Sequence, residues 1–430
     1  MFGELTLADL VIRSSSHTPF FGVYLATHAI ADGLCMCHAS VGCKVKTELH
    51  LCDHDGVQDA HNRRRYSQFI DEDLIQGSTA QLEEEIRAWS QRQKPGIVVI
   101  DGSTPISLQG QSMAAVCKRM EAETGADVVF VDARNYDDDL YAGYAQTMAT
   151  ILQRQPWQDR QPRANEVAIV GQVFDRYEPD QFGNVAELRR MLAAIGLQAP
   201  AVFFSGEKYA QLQQVIHAGM HVVLPHAHAQ AKVLKKLGLS PVVTGLPMAL
   251  SGTKAWLRQV ARQVDALPQA ETFIESELRL AKPFFELARR RLAGKRFAVF
   301  ADAPRAAGVV ALLAEVGMEP ALVGTLHLNL GGEERVRADL SSHFGAELPQ
   351  NVRFIHNPTP AEIGALDVKD CAVVLGTTIE REGLPHPQRP FVEFGFPSES
   401  RHFLTPAPFL GFAGALRLVE QVLQTVASGR

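Results

Sequence analysis

The chain has 430 residues, of which 46% are hydrophobic and 21% charged, and its formal net charge is -6 at pH 7. This balance is typical of a folded globular protein and argues against a disordered chain or a general nucleic-acid-coating or anionic-membrane-binding one. The N-terminal segment lacks the basic start and apolar run of a signal peptide, and no long uninterrupted apolar run occurs, so we expect a cytoplasmic protein.

The length predicts two to four domains, because a domain usually spans about 100 to 200 residues. From residue 80 onward, amphipathic helices alternate with short apolar strands, which favours an α/β fold with parallel sheets. In the first unit, strands are predicted at 97–103 and 126–134. A polar, proline-containing segment at 154–166 resembles a linker.

A second unit is predicted to begin with a strand at 167–174 and to continue with a helix at 185–196 and one near 207–219. The helix at 185–196 places Val185, Leu188, Leu192 and Ile195 on one face. A third unit begins at 295–325. We therefore predict three Rossmann-like parallel-sheet domains in series with a C-terminal return helix. The predicted boundaries are 1–160, 161–290, 291–405 and 406–430.

Several common catalytic motifs are missing from the sequence. It contains no G-x-x-x-x-G-K-[ST] loop, no G-x-G-x-x-G after the strands that open the units, no G-x-S-x-G and no H-E-x-x-H. Without these loops, neither ATP nor NAD is expected to bind to this chain. The usual hydrolase mechanisms are disfavoured for the same reason.

The segment 31–55 contains four of the six cysteines of the chain, namely Cys35, Cys37, Cys43 and Cys52. Their spacing, C-x-C-x5-C-x8-C, matches neither paired zinc knuckles nor the ferredoxin pattern. All four are metal-ligand candidates, but alternation in "GLCMC" also predicts a buried strand in which Cys35 and Cys37 pack as small core residues. Cys43 follows a glycine in a predicted loop, where a thiolate can reach a metal or a partner chain.

The segment 20–43, "FFGVYLATHAIADGLCMCHASVGC", resembles the first helix, strand and cluster loop of the component 1 family of nitrogenases and nitrogenase-like reductases. Segments 71–86, 242–257 and 390–422 are similar to other parts of that family, in the same order. The resemblance implies three Rossmann-like domains and pairing with a homologous second component 1 subunit in an α2β2-like assembly. It also implies electron delivery by a separate ATP-dependent [4Fe-4S] reductase protein.

Only Cys43 falls on a position where the family has a cluster ligand. Where fully equipped members have further cysteines, this chain has His17 and Thr18, and Ser103 and Thr104. A [4Fe-4S] cluster needs about four ligands, so the resemblance implies a cluster shared with the partner, in which this chain supplies one thiolate. That pattern resembles the one-cysteine subunits of the tetrapyrrole-reducing branch, although the cluster could also be altered or lost.

Three histidines are candidate catalytic residues. His226 and His228 follow a predicted strand at 221–224 and would point the same way if the strand persisted. They would then lie at the carboxyl end of that strand, which is where an open α/β sheet binds its ligand. His402 lies near the family's cofactor-side loop. Exposed loop positions are the alternative for all three.

Other polar residues near the cysteine segment have simpler interpretations. For His17, His28 and His38 we predict a solvated or core-capping role. The arginine-rich segment 62–68 predicts a solvated face, or a docking surface for an acidic partner.

The leading hypothesis is a subunit of a nitrogenase-like two-component reductase that passes low-potential electrons through a shared iron-sulfur cluster to a substrate, with a tetrapyrrole as the first choice. Reduction of a small sulfur or nitrogen compound is an alternative substrate assignment. A cofactor-assembly scaffold and a metal-free α/β binding protein or sugar-phosphate enzyme are hypotheses from other classes. No nucleic-acid or membrane partner is expected.

Overall fold

A computed structural model describes residues 18–40, 63–67, 69–108, 110, 112–133, 138–327, 329–385 and 390–428. These residues form three sheets, and every strand pair in them is parallel. The predicted α/β class with parallel sheets is therefore confirmed. Within the described ranges, no helix combines the length and the apolar character that a membrane crossing requires.

The first sheet has the strand order β2-β1-β3-β4. Its strands are β1 (Gly33–His38), β2 (Arg64–Tyr66), β3 (Ile97–Gly102) and β4 (Asp127–Asp132). The accompanying helices are α1 (Pro19–His28), α2 (Asp71–Gln76), α3 (Thr79–Gln93), α4 (Thr104–Leu108), α5 (Met113–Thr124) and α6 (Leu140–Arg154). Strands β1 and β3 are buried along their whole length, as expected where helices cover both faces of a parallel sheet.

The second sheet has the order β6-β5-β7-β8. Its strands are β5 (Arg163–Val170), β6 (Gln198–Val202), β7 (Ala218–Val223) and β8 (Val242–Val243). Its helices are α7 (Pro179–Ala193), α8 (Tyr209–Leu212), α9 (Gln230–Lys236), α10 (Ala249–Ala261) and the long α11 (Leu267–Leu292), and short 3-10 turns occur at Trp157–Asp159, Gln213–His217, Pro225–Ala227 and Arg262–Val264. The predicted apolar face of α7 and the turn after it is confirmed, because Val185, Leu188, Leu192 and Ile195 are all buried.

The third sheet has the order β11-β10-β9-β12-β13. Its strands are β9 (Arg296–Ala301), β10 (Glu319–Thr325), β11 (Arg353–His356), β12 (Cys371–Gly376) and β13 (Phe391–Glu393). Its helices are α12 (Ala303–Glu315), α13 (Glu333–Asp339), α14 (Pro360–Gly364) and α15 (Thr378–Gly383), with a π turn at Leu340–Phe344, and α16 (Gly411–Ser428) closes the chain. Helix α16 packs against α7, α10 and α11, so it returns to the second sheet as the sequence predicts.

Two local predictions at the second sheet are wrong. Strand β5 begins at Arg163, inside the segment predicted as a linker, because pairing with β7 already starts there. The helix predicted near 207–219 consists of the short α8 and a 3-10 turn that ends at His217. Strand β7 ends at Val223, and a 3-10 turn with Pro225 at its start follows it, because proline cannot donate to a strand ladder.

Helices α1 and α6 approach each other closely through two glycines. A Cβ atom on Gly22 would lie 1.9 Å from the carbonyl oxygen of Leu140, and one on Gly143 would lie 1.9 Å from that of Pro19. Since no side chain fits at either point, these glycines fix the position of α6. The N-terminal turn of α6 is thereby held near the second and third sheets.

Each sheet has one point where the chain changes the direction in which it adds strands. These switch points lie between β1 and β3, between β5 and β7, and between β9 and β12. Ligands of open parallel sheets bind at the carboxyl ends of the strands at such points. The topology therefore selects three places for functional side chains, and the second and third face each other.

Candidate functional site

Buried polar side chains meet where the second and third sheets face each other beside α6. We call this group the junction cluster; its members are Tyr141, Asp175, His226, Asp302, Arg305 and His327. Tyr141 lies in the first turn of α6, Asp175 follows β5, His226 follows β7, and Asp302 follows β9. The cluster thus joins two switch points and a helix start, each of which contributes a residue from a different part of the chain.

Asp302 is the hub of the junction cluster. Its Oδ1 lies 2.9 Å from Nε2 of His226, and its Oδ2 accepts a hydrogen bond of 3.3 Å from the hydroxyl of Tyr141. The Arg305 guanidinium lies 3.4 Å from the same Oδ2. Asp302 also accepts from the backbone N–H of Arg305 and so caps the N-terminus of α12, which explains why the carboxylate is held in one position.

The electrostatics of the cluster keep Asp302 ionised. Burial favours its neutral form, but His226 and Arg305 outweigh this effect and hold the pKa of Asp302 well below its ordinary value. Burial, followed by the Asp302 charge, raises the pKa of the Tyr141 hydroxyl well above its ordinary value. Burial also lowers the pKa of His327, whose ring meets the Tyr141 ring edge-on at 4.9 Å. The cluster therefore contains the Asp302 carboxylate, which hydrogen-bond donors hold in place, and the neutral side chains of Tyr141 and His327 beside it.

Asp175 behaves differently from Asp302. Burial raises the pKa of Asp175 to about 6, and Arg305 and Arg176 offset only part of this rise. The Arg305 guanidinium is 3.9 Å from Oδ2 of Asp175, and the side chain of Gln181 donates to Oδ1 at 2.8 Å. Two carboxyl groups on one arginine thus have separated pKa values, an arrangement that active sites use to pair a proton donor with a fixed charge.

A small cavity of about 30 Å³ adjoins the cluster. Its charged and amide lining residues are Asp175, Arg176, Asp180, Gln181, Arg305, Glu393 and Gln421. Phe394, Phe403 and Phe409 contribute to its apolar wall. A space of this size holds water rather than an organic substrate, and its lining brings that water beside Asp175 and Arg305.

His402 belongs to a neighbouring group on the far side of the cavity. Its Nδ1 contacts Oε1 of Glu178, which is fully buried, and the backbone N–H of Phe403 donates to Oε2 at 3.1 Å. Arg176 pairs with Asp180 at 2.8 Å and donates to the carbonyl of Arg401 at 3.1 Å. These contacts attach the segment before α16 to the start of α7.

The three candidate catalytic histidines do not converge. His226 lies in the junction cluster, whereas Nε2 of His228 bonds the carbonyl oxygen of Thr244 at 3.0 Å and His402 contacts Glu178. The expectation that His226 and His228 point the same way is wrong, because the 3-10 turn after β7 rotates successive side chains apart. Their catalytic roles stay predictions.

The predicted buried strand around the cysteines is confirmed. Cys35 and Cys37 lie on one face of β1, both buried, with their Sγ atoms 3.8 Å apart. Burial, followed by the neighbouring Cys35, raises the pKa of Cys37 well above its ordinary value. Cys43 and Cys52 lie outside the described residues, so their assignment as ligands stays a prediction.

The arginine-rich segment next to this strand is not a solvated face. Arg64 on β2 is 3% exposed, and its guanidinium lies 4.8 Å from the Tyr24 ring centre. Arg65 stacks on Trp89 at 3.3 Å. The prediction fails because aromatic rings stack on these guanidinium groups and shelter them from solvent.

Two predicted core-capping histidines are inside the protein, and the third, His17, lies outside the described residues. His38 is fully buried, with Nδ1 at 2.6 Å from the Ser67 hydroxyl and Nε2 at 2.9 Å from the Ser78 hydroxyl. His28 is also buried, and its ring stacks on Tyr24. The core-capping interpretation is therefore confirmed for both.

Sequence reasoning missed Tyr141, Asp175, Asp302, Arg305 and His327. One pattern could have revealed two of them, because Asp302 and Asp175 each come soon after an apolar strand, at the carboxyl end where parallel sheets bind ligands. Asp302 is also followed by Ala303 and Pro304, an N-cap pattern at the start of a helix.

Comparison with known proteins gives consistent results. The family model described as nitrogenase component 1 type oxidoreductase matches residues 18–427. One subunit of the light-independent protochlorophyllide reductase of Heliobacterium modesticaldum is 26% identical over 373 residues, covering 83% of this chain and 68% of the relative. The corresponding reductase subunit of Pyropia yezoensis is 24% identical over 380 residues, with coverage of 83% and 72%.

Solved structures of the same kind share the fold. The structure titled "Nitrogenase Cp1 at pH 5" superposes with a TM-score of 0.76 at 15% identity, covering 97% of this chain and 89% of that one. A second, titled "Nitrogenase Cp1 at pH 6.5", gives a TM-score of 0.75 at 14% identity, with coverage of 97% and 90%.

Proposed function

Because this chain belongs to the nitrogenase component 1 type oxidoreductases, we propose that it is one subunit of a two-component reductase in which the junction cluster supplies protons for the reduction of the substrate. The observation that carries this proposal is the pair of facing switch points, where a carboxyl group with a pKa of about 6 and a fixed carboxylate share one buried arginine. The first-choice substrate is a tetrapyrrole, because the relatives named above are protochlorophyllide reductase subunits.

Reduction of a carbon–carbon double bond consumes two electrons and two protons, and the protein has to supply the protons at the right place. Asp175 suits the role of donor, because its raised pKa leaves part of the population protonated near neutral pH. Arg305 then neutralises the carboxylate that remains after proton transfer. The cavity beside Asp175 has room for water that returns the proton.

Asp302 and His226 form the fixed half of the site. A carboxylate bonded to Nε2 holds the imidazole in one orientation. His226 is therefore our choice for the second proton donor. The hydroxyl of Tyr141 donates a hydrogen bond to Asp302 and helps to hold that carboxylate in position. His228 and His402, whose partners lie elsewhere, would act at most through the positions of neighbouring segments.

An iron-sulfur cluster of the [4Fe-4S] type is the cofactor that we propose for electron delivery. After β3, the donors in the described residues are hydroxyl groups, and Ser103 Oγ donates to the carbonyl of His38 at 2.9 Å. This donor set does not fit a cluster held by the described residues alone. We therefore propose a shared cluster to which Cys43 contributes the ligand from this chain. Such a cluster, when bound, would transfer single electrons at low potential.

The assembly proposed with this cofactor has two further components. One is a homologous second component 1 subunit that supplies the remaining thiolates in an α2β2-like complex. The other is an ATP-dependent [4Fe-4S] reductase protein, which would account for the lack of a phosphate-binding loop in this sequence.

The test is a reductase assay on the anaerobically purified complex, with protochlorophyllide as substrate and the reductase protein and ATP present. We expect substrate-dependent turnover that Asp175→Asn lowers by about 10²-fold or more, since general acid catalysis contributes about that much. Asp159→Asn changes an exposed carboxylate on the turn before β5 and is the matched control.

Iron and acid-labile sulfide analysis completes the test. Cys43→Ala should lose the cluster, and unchanged iron content in that variant would refute the ligand assignment. A complex that carries iron but reduces no tetrapyrrole, and instead reduces a small sulfur or nitrogen compound, would change the substrate assignment. Iron with no turnover on either class would favour the assembly scaffold.

A further inference from the structure

The first sheet has a cluster of metal-ligating side chains at its own switch point. Strand β1 and strand β3 run side by side, and their register pairs Cys37 with Asp101. Cys35, two residues earlier, points to the same face, and Cys35, Cys37 and Asp101 are each no more than 1% exposed. Ligand atoms of the three residues all lie within 4.8 Å of one another.

The separation of the two thiols fits a tetrahedral metal ion. Two thiolates bound at about 2.3 Å with a tetrahedral angle between them are about 3.8 Å apart. The observed Sγ–Sγ distance is 3.8 Å. We propose that Cys35, Cys37 and Asp101 bind a divalent zinc ion, with the fourth position taken by water.

Charge balance supports a divalent ion at this place. Binding releases the two thiol protons, so the ligands are two thiolates and one carboxylate. Arg64 on β2 lies beside Cys35 in the sheet register, is buried, and interacts electrostatically with both thiols. The ion and this guanidinium together match the three negative charges of the ligands, so the buried site carries no net charge.

The site is separate from the cluster assigned to Cys43, and the inference does not rest on the proposed function. Its ligands come from the interior of two strands, whereas Cys43 lies in the segment after β1. Because all three ligands are buried and come from neighbouring strands, the ion would tie β1 to β3.

The test uses the full-length chain, in complex with its partner if it needs one. Zinc content is measured in protein from zinc-supplied cells, and X-ray absorption at the zinc edge counts the sulfur ligands. We expect one zinc ion per chain with two sulfur neighbours. Protein from cobalt-supplied cells should show the thiolate charge-transfer and visible bands typical of tetrahedral Co²⁺.

Variants locate the ion. Cys37→Ser and Cys35→Ser should each lose the zinc and the charge-transfer band, and Asp101→Asn should weaken metal retention while both sulfur neighbours remain. Cys371→Ser, which alters another buried cysteine, and Cys43→Ser should keep both signals. Circular dichroism checks that each variant folds, and the sulfur count of the wild-type protein decides the question if the serine variants do not.

Wild-type protein without zinc, or with zinc that has no sulfur neighbours, would overturn the proposal. So would full zinc retention in folded Cys37→Ser. These outcomes differ from failure of the proposed function, because zinc content is measured without turnover and Cys43→Ala acts on iron alone.

Discussion

The cysteine strand and the junction cluster are built in opposite ways. In the strand, Cys35 and Cys37 are separated by one residue, and the partners Arg64 and Asp101 come from adjacent strands of the same sheet. In the junction cluster, Tyr141, His226 and Asp302 belong to separate regions of the chain and meet only when two sheets pack beside α6. Local pairing therefore produces the first group, whereas packing between sheets produces the second.

This difference determines what each group can do. A site inside one sheet is rigid and buried, which suits an ion that ties neighbouring strands together. A site between sheets lies beside a cavity and changes whenever the sheets move relative to each other. We therefore expect substitutions in the junction to affect both stability and reactivity, and substitutions in the strand to affect stability and metal content.

The largest effect is expected for Asp302→Asn. The substitution removes the negative charge from His226 and Arg305 and leaves a buried guanidinium undercompensated, which costs about 3–5 kcal/mol in the free energy of unfolding. Denaturant unfolding of the isolated chain or complex measures it. Asp159→Asn, on the surface, should cost less than about 0.5 kcal/mol. Equal effects of the two substitutions would show that the junction contacts do not hold the sheets together.

The next effect is a pH dependence that originates at Asp175. Its pKa is raised from 3.8 to about 6, so the folded state binds more protons than the unfolded state between these values. The free energy of unfolding therefore falls as pH rises from 4 to 6, by roughly 2 kcal/mol from this one group. Asp175→Asn should remove that fall, so its stability relative to wild type rises over this window.

His221 changes stability in the opposite direction and has to be separated in that experiment. Burial lowers its pKa to about 4, although its bond to the carbonyl of Val215 opposes the shift. The unfolded state then binds more protons, so this contribution to stability grows as pH rises from 4 to about 6.5. Comparison of Asp175→Asn with wild type cancels it, because both proteins retain His221. A parallel pair of pH curves would contradict the assignment to Asp175.

A third effect tests the cysteine strand. Arg64→Met keeps the length of the side chain but removes a desolvated cation from the Tyr24 ring, at a cost of about 2 kcal/mol. Arg92→Met removes an exposed cation that lies 5.0 Å from the Trp89 ring and should cost about 0.5 kcal/mol. Thermal unfolding of both variants checks the contrast, and a larger effect at Arg92 would overturn it.

The fold and the cysteine strand could be predicted from the sequence because both depend on local patterns. Alternating apolar strands and helices identify parallel α/β units, and alternation in 33–38 identifies β1. The start of β5 was missed because its first residues are polar and half of the strand is exposed. The arginines at 64 and 65 were misjudged because only the packing brings Tyr24 and Trp89 onto them.

The junction cluster could be predicted only in part. His226 was selected because it follows a strand, but nothing in the sequence relates it to Asp302, which lies in another sheet. The direction of the His228 side chain depends on where β7 ends, and Pro225 begins the 3-10 turn that follows this strand. Contacts between residues far apart in the chain require the packing of the sheets, which a pattern in a single sequence does not contain.

The smallest effect is expected for His402→Ala. The His402 side chain is 36% exposed, while its partner Glu178 is fully buried. After the histidine is removed, Glu178 still accepts a hydrogen bond from the backbone N–H of Phe403. The Arg176 guanidinium, 3.7 Å away, still balances its negative charge. The cost should therefore be about 1 kcal/mol. His226→Ala, which strips a partner from a buried carboxylate with little access to water, should cost at least twice as much. Urea unfolding of the two variants side by side measures the ratio. If His402→Ala proved the more damaging, the contact between His402 and Glu178 rather than the sheet junction would be the part of the site that the fold depends on.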